Sequence, residues 1–185
     1  MIISKSQLKQ ILDYERELYI GSKGIEQFII RGLKAHPDYF AWKYVRRLRT
    51  TSYFYSKRKS NLFYSLMYLW NCRKKNKLGR TLGIEINENN FGKGLMIYHT
   101  QGIVINGGAV IGENCKLHGN NCIGNNGKNL ECPIIGNNVR LGVGAKVIGN
   151  VKIANNITIA AGAVVISSFE EEGITIAGVP AKKRK

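Results

Sequence analysis

The sequence predicts an α+β protein in which an N-terminal helical region, residues 1–80, precedes a parallel β-helix of hexapeptide repeats, residues 81–185. Large aliphatic residues recur at every sixth position of the second region, and Asn and Gly pairs separate them, whereas the helical region lacks both features. The aliphatic series consists of Ile105, Ile111, Leu117, Ile123, Ile135, Leu141, Val147, Ile153, Ile159 and Val165.

A period of six excludes an amphipathic helix, whose apolar stripe needs spacings of three and four residues. Short strands that turn at each Asn/Gly pair fit this period, because Asn and Gly tolerate the left-handed backbone conformation of a tight corner. Every sixth side chain then points inward, and stacked coils share one core. Two places depart from the series: Phe91, Ile97 and Ile103 lie two residues out of phase, and Asn129 replaces an aliphatic residue. We therefore expect a loop to leave the β-helix over residues 125–133.

The N-terminal region indicates several helices. Apolar residues at helical spacing predict a first helix around residues 11–19, and Gly21–Gly24 predicts a break after it. A second helix is expected from Ile25 until shortly before Pro37. A third should run over residues 39–48, with its N-terminal cap within residues 36–38.

The segment from residue 60 to residue 71 is aromatic and apolar, and basic clusters flank it on both sides. It predicts either a helix packed in the N-terminal core or between subunits, or a helix resting on an anionic membrane surface. Residues 1–80 carry 18 Lys and Arg against 5 Asp and Glu, whereas the repeats are nearly neutral. Nucleic-acid binding is therefore not expected, because the repeats offer no basic stripe.

No apolar run long enough to span a membrane and no signal peptide is present, so we expect a cytoplasmic protein, with the inner face of the membrane as an alternative position. The four cysteines show no CxxC pair. Reduced cysteines and no metal are therefore expected.

Three segments resemble the serine acetyltransferase branch of the hexapeptide acyltransferases. They are GKGLMIYHTQGIVINGGAVIG (92–112), LGVGAKVIGN (141–150) and AGVPAK (177–182). The resemblance implies a left-handed β-helix with three hexads per coil, acetyl-CoA as co-substrate, and active sites shared between two subunits. A homotrimer or a dimer of trimers is expected.

The resemblance also implies that His99 is the general base. An imidazole has a suitable pKa to take a proton from an attacking hydroxyl near neutral pH. That hydroxyl would attack the thioester directly, without a covalent enzyme intermediate. His36 and His118 are expected to be structural. The cofactor-binding residues that the resemblance implies are Gly124, Asn125, Asn126, Val143, Gly144, Ala161, Gly162, Lys182 and Lys183, although the basic C-terminal tail is equally consistent with a solvated end.

The acceptor site departs from the pattern of that branch. Its Asp before the catalytic His is Tyr98, and its Arg-His-Pro motif is Glu131-Cys132-Pro133. Recognition of a free amino acid uses charged hydrogen bonds, which these changes remove. We therefore expect Tyr98, Glu131 and Cys132 to contact a saccharide, as in O-acetyltransferases of bacterial capsule or exopolysaccharide pathways. The alternatives are a serine O-acetyltransferase of cysteine biosynthesis and a non-catalytic β-helix binding module.

Overall fold

The computed structural model describes residues 1–21 and 24–184 and divides the chain into two compact units. The helical unit is Met1–Leu82, and the β-helical unit is Gly83–Lys185. The break expected between the first two helices includes Ser22 and Lys23, which lie outside the described residues.

The helical unit contains helices α1 (Lys5–Ile20), α2 (Gly24–Leu33), α3 (Pro37–Lys57) and α4 (Leu62–Leu82). His36 caps α3, where its Nδ1 accepts a hydrogen bond from the backbone N–H of Asp38 at 3.3 Å. Helices α3 and α4 both continue well beyond their predicted ends. The two helices pack against each other, for example through Tyr55 and Tyr68, whose ring centroids are 5.5 Å apart. Such tertiary packing extends helices beyond what local sequence predicts.

Helix α1 is joined to α3 by a buried ion pair. The Nη2 of Arg49 donates to Oε1 of Glu15 at 2.6 Å, and both side chains are almost fully buried. Removing either partner would leave an uncompensated buried charge, which is strongly destabilising.

One face of helix α4 packs on α3, as the first of the two alternatives predicts, and another face is exposed. The large apolar residues of the exposed face are Leu62, Phe63, Leu66, Leu69 and Trp70. Among the described residues, no helix has the length and hydropathy needed to cross a membrane.

The described part of the β-helical unit contains fourteen short strands. They are β1 (Ile84–Glu85), β2 (Met96–Ile97), β3 (Ile103–Ile105), β4 (Val110–Ile111), β5 (Lys116–Leu117), β6 (Cys122–Gly124), β7 (Ile134–Ile135), β8 (Arg140–Leu141), β9 (Lys146–Ile148), β10 (Lys152–Ile153), β11 (Thr158–Ile159), β12 (Val164–Val165), β13 (Thr175–Gly178) and β14 (Ala181–Lys183).

These strands form three parallel sheets, which are the three faces of the coil. Face 1 contains β1, β3, β6, β9 and β12, face 2 contains β4, β7 and β10, and face 3 contains β2, β5, β8, β11 and β13. Strand β14 pairs antiparallel with β13 at the C-terminal end of face 3. All ten residues of the aliphatic series are at most 3% exposed, so the predicted core is confirmed.

The strand register gives the length of each coil. Arg140 pairs with Thr158, so that coil contains the expected three hexads. Met96 pairs with Lys116, which makes that coil two residues longer than three hexads, because the corner that contains His99 is extended. Lys116 pairs with Arg140, which makes the next coil four hexads long, because the loop over residues 125–133 adds the length of one hexad. The left hand that the resemblance implies for the coil stays a prediction.

Candidate active site

His99 lies on the corner that joins face 3 to face 1, between β2 and β3, and its side chain is exposed. We call the four stacked turns at this position the His99 corner: residues 98–102, 118–121, 142–145 and 160–163. Gly119 of the second turn packs directly on His99. A Cβ atom on Gly119 would lie 3.1 Å from both Cβ and the carbonyl oxygen of His99, and Gly119 has a φ of +100°. Glycine therefore allows the close approach that positions His99.

A column of small residues continues from His99 through the later coils. The N–H of Gly144 donates to the carbonyl of Gly119 at 3.0 Å, and the N–H of Gly162 donates to that of Val143 at 2.8 Å. Val143 and Ala161 therefore stack one coil apart, as their spacing of three hexads predicts. Their contact with the cofactor, and that of Gly144 and Gly162, stays a prediction.

The side chain of Asn121 connects two turns of this corner from the interior of the coil. Its side chain is fully buried, and its Oδ1 accepts from the N–H of Gly119 at 3.0 Å. Its Nδ2 donates to the carbonyls of Gly142 at 2.8 Å and Ala145 at 3.3 Å. One side chain thus fastens the second turn of the His99 corner to the third.

A cluster of aromatic and basic side chains borders His99 on face 3. The rings of Tyr98 and His118 are stacked, with centroids 4.4 Å apart and planes 12° apart. The Nε of Arg140 donates to Nε2 of His118 at 3.1 Å. Burial and the positive charges of Arg140, His99 and Lys116 lower the pKa of His118. In this hydrogen bond Nε2 of His118 is the acceptor, since the Arg Nε can only donate.

This cluster bears on two expectations. One face of the Tyr98 ring is covered by His118, so that face is not free to stack on an acceptor, and contact of Tyr98 with an acceptor stays a prediction. His118 was expected to be structural, and it links Tyr98 to Arg140 beside His99. The pairing was missed because Tyr98 and His118 lie on successive coils, and their separation is not a whole number of hexads. The two-residue phase shift of the early repeats was the signal that could have revealed it.

Glu131 and Cys132 lie at a different corner from His99. A Cβ atom on Gly108 would lie 3.1 Å from the Sγ of Cys132, which places this cysteine between faces 1 and 2. Glu131 accepts a 3.4 Å hydrogen bond from the side chain of Asn129 in the same loop. Because the strands of face 1 separate the two corners, a single chain does not bring these residues to His99.

Residues Gly124, Asn125 and Asn126 also lie at the corner between faces 1 and 2. The carbonyl of Gly124 accepts from the N–H of Gly149 at 2.8 Å. The side chains of Asn125 and Asn126 accept from backbone N–H groups two residues further along. They shape the start of the loop, and their role at the thioester stays a prediction.

Lys182 and Lys183 lie in β14 and are exposed. The Nζ of Lys183 donates to the carboxylate of Glu171 at 2.6 Å, whereas Lys182 pairs through its backbone with Ala177. Lys185 lies outside the described residues. Lys182 thus offers the less compensated of the two charges to an anionic ligand.

The cysteines and acidic residues do not gather into a metal site. Among residues 1–21 and 24–184, no group of three or more His, Cys, Asp or Glu side chains is arranged to hold a metal ion. Cys115 is fully buried in the β-helix core, which raises the pKa of its thiol to about 12 and keeps it protonated.

No family model matches the chain. It is 28% identical over 194 residues to the serine acetyltransferase of Buchnera aphidicola subsp. Acyrthosiphon pisum, covering 98% of this chain and 68% of that protein. It is 40% identical over 101 residues to the serine acetyltransferase of Staphylococcus aureus, covering 53% of this chain and 47% of that protein.

The chain is also similar to solved structures of serine acetyltransferases. The serine acetyltransferase of Neisseria gonorrhoeae in complex with serine has a TM-score of 0.75 and 25% identity, covering 98% of this chain and 71% of that one. The Brucella abortus enzyme in complex with coenzyme A has a TM-score of 0.66 and 24% identity, covering 95% and 70% of the two chains. The likeness supports the hexapeptide-repeat acyltransferase family.

The expectation of a saccharide acceptor in a capsule or exopolysaccharide pathway is wrong. These relatives and solved structures are serine acetyltransferases, and the similarity extends through the helical unit as well as the repeats. The replacement of motif residues by Tyr98, Glu131 and Cys132 was interpreted as the loss of amino-acid recognition. That interpretation rested on three positions, whereas the similarity to a serine acetyltransferase covers 98% of the chain. Nothing in these comparisons supports the expected contact with a membrane.

Proposed function

We propose that the protein is a serine O-acetyltransferase, which transfers the acetyl group of acetyl-CoA to the hydroxyl of L-serine. The similarity over 98% of the chain carries this proposal. A general likeness between β-helices would cover the repeats alone, whereas this one includes the four helices. The exposed histidine at the foot of a column of small residues supports the same reaction.

In this mechanism His99 removes the proton from the serine hydroxyl. The hydroxyl oxygen attacks the thioester carbon, the carbon–sulfur bond breaks, and the proton passes from His99 to the departing CoA thiolate. Acetyl-CoA supplies the activated acyl group. Backbone N–H groups near the thioester, such as those of Gly124–Asn126 of a neighbouring subunit, would stabilise the developing oxyanion.

The cofactor would lie along the His99 corner. Gly144, Ala161 and Gly162 present little side-chain bulk there, so the pantetheine arm can approach the backbone, and Val143 would contact it with an exposed aliphatic side chain. Lys182 and Lys183 would meet the phosphates of CoA at the C-terminal end of the coil. Four stacked turns span about 14 Å at the usual strand spacing, and an extended chain can lie along them.

A homotrimer would complete the site. Within one chain, face 1 separates Glu131 and Cys132 from His99. Packing of three β-helices side by side would bring the loop of one subunit to the His99 corner of the next. The carboxylate of Glu131 could then pair with the ammonium group of serine or orient the ring of His99, which has no hydrogen-bond partner among the described residues. The exposed apolar face of α4 could join two such trimers.

The test is the release of free thiol from acetyl-CoA in the presence of L-serine. We expect serine-dependent turnover by the full-length protein and a fall in kcat of about 10²- to 10⁴-fold in His99→Asn, because the variant loses its general base. His36→Asn is the matched control, since asparagine is also a good helix cap and should leave both fold and turnover intact.

Two results would contradict the proposal. Absence of serine-dependent thiol release by the wild-type protein would rule out this acceptor. Equal turnover by wild type and His99→Asn would show that His99 is not the base.

A further inference from the structure

We infer that Arg140, held in place by His118, binds the carboxylate of the acceptor amino acid. The inference rests on the proposed function and names the cation that serine recognition requires. It follows from the position of the Arg140 side chain and from the N–H donors of its two terminal nitrogens.

A free amino acid presents a carboxylate, which needs a cation close to the catalytic base. The loop over residues 125–133 has one basic residue, Lys128, which lies between β6 and β7 and so, within one chain, at a different corner from His99. On face 3 the positive charges of Arg140 and Lys116 act on His118. These two residues are register partners on neighbouring coils. Within one chain, the coil can therefore supply a cation for the carboxylate next to the His99 corner.

Arg140 has the better geometry of the two. Its Nε is engaged with Nε2 of His118 at 3.1 Å, which fixes the orientation of the guanidinium plane. None of the described residues accepts a hydrogen bond from either of its terminal nitrogens, Nη1 and Nη2. Two parallel N–H donors in a fixed plane match the two oxygens of a carboxylate, whereas a lysine offers only a point charge.

His118 and Tyr98 connect this guanidinium to the base. The ring of His118 is fixed between the stacked ring of Tyr98 and the Nε of Arg140. Tyr98 directly precedes His99 on the same turn. A small substrate such as serine has only three bonds between its hydroxyl oxygen and its carboxylate carbon. The inference therefore requires that the Arg140 guanidinium and the His99 ring lie within reach of one such molecule.

The test combines variants of Arg140 with an acceptor that lacks the carboxylate. L-Serinamide keeps the hydroxyl and the ammonium group of serine but replaces the carboxylate by a neutral amide of similar shape. For Arg140→Gln we expect KM for L-serine to rise about 10- to 100-fold, the effect of losing a hydrogen bond to a charged group, with KM for acetyl-CoA unchanged. The same variant should use L-serinamide as well as the wild type does. Arg140→Lys should show a smaller rise in KM for L-serine, because lysine keeps the positive charge but lacks the two parallel N–H donors.

Lys152→Gln is the matched control. Lys152 is an exposed basic residue one position before an aliphatic residue of the series, as Arg140 is, but it lies on face 2. The variant removes the same charge from the coil and should leave the kinetic constants unchanged. If L-serinamide turns over too slowly, it can be measured as an inhibitor competing with L-serine. Glycine, which keeps the carboxylate, is then the reference inhibitor: Arg140→Gln should weaken inhibition by glycine and leave inhibition by L-serinamide unchanged.

Each other outcome overturns the inference. An equal loss with both acceptors would mean that Arg140 supports the fold of the site and not the carboxylate. A change confined to KM for acetyl-CoA would assign Arg140 to the CoA phosphates. Unchanged constants for L-serine would exclude any role in acceptor binding. If the wild-type protein shows no serine-dependent turnover, the proposed function itself fails, and the inference fails with it.

Discussion

Two corners of the β-helix have the same backbone turn but different side chains. The corner between faces 2 and 3, which we call the asparagine corner, consists of residues 112–115, 136–139 and 154–157. In each of its turns an asparagine has a positive φ: Asn114, Asn138 and Asn156. In the His99 corner the corresponding residue of the second turn is Asn120, but those of the third and fourth turns are Gly144 and Gly162, all with positive φ.

The asparagine corner is closed by its own side chains. Asn114 Nδ2 donates to Oδ1 of Asn138 at 3.1 Å, and Asn138 Nδ2 donates to Oδ1 of Asn156 at 2.9 Å. Glu172 ends the ladder by accepting from Asn156. In the His99 corner the turns are held from the inside by Asn121, and the outside carries no such ladder among the described residues. From this difference we predict that the asparagine corner contributes more to stability and that the His99 corner binds the cofactor.

We expect the largest effect when asparagines like those of the asparagine corner are introduced into the His99 corner. The double substitution Gly144→Asn and Gly162→Asn places asparagine at turns with positive φ, which asparagine tolerates. A Cβ atom would meet only ordinary contacts at Gly144 and nothing within 4 Å at Gly162. The variant should fold normally but raise KM for acetyl-CoA about 100-fold, because the new side chains occupy the cofactor groove.

Thermal unfolding would show whether that double variant is folded, and thiol release would give its kinetic constants. Unchanged KM for acetyl-CoA in a folded double variant would mean that the cofactor does not lie along this corner.

Gly119→Ala tests the close contact beneath His99. The added methyl group would approach His99 to 3.1 Å at a φ of +100°, which L residues rarely adopt. We expect a loss of about 1 kcal/mol in stability and a fall in kcat of about tenfold, because His99 must shift from its position. Thiol release and urea unfolding measure the two effects. A variant with wild-type kcat would show that the position of His99 does not depend on this contact.

Asn138→Ala tests the opposite corner. It removes both ladder hydrogen bonds of the central asparagine and places alanine at a φ of 57°. We expect the free energy of unfolding to fall by about 1–3 kcal/mol, with kcat and KM unchanged. Urea denaturation measures the free energy of unfolding. A loss of activity in the folded variant would contradict the prediction that the asparagine corner serves stability and the His99 corner serves catalysis.

The smallest expected effect is the pH dependence contributed by His118, which faces Arg140, His99 and Lys116. Because its pKa is lowered in the folded state, the unfolded chain binds more protons below about pH 6.5. Stability should therefore fall as the pH drops through 6.5 and level off below the folded pKa. His118→Gln keeps an acceptor for Arg140 and should weaken this dependence in Tm measurements at pH values on either side of that point. An identical pH profile in the variant would assign the dependence to other groups.

Much of the β-helix could be predicted from the sequence. All ten residues of the aliphatic series are buried, and the coil is lengthened at the two places that depart from the series. Each of these rests on a regular period, so counting residues was sufficient. The ends of α3 and α4 were predicted too early, because packing between the two helices carries them past the point where local patterning ends. The acceptor was predicted wrongly, because it was inferred from the residues that replace one motif, whereas the relatives similar to the whole chain are serine acetyltransferases.

The sequence by itself determined which side chains point into the core and which turns form the corners, because a period of six places every aliphatic residue of the series inward. Only the tertiary structure decided which outward side chains meet. Two extra residues at the His99 corner bring Tyr98 opposite His118, and six extra residues in the loop bring Arg140 onto the next coil beside it. Contacts between coils depend on the number of residues inserted at irregular corners, where no periodic signal exists, so the cluster of Tyr98, His118 and Arg140 became visible only once the strands were paired.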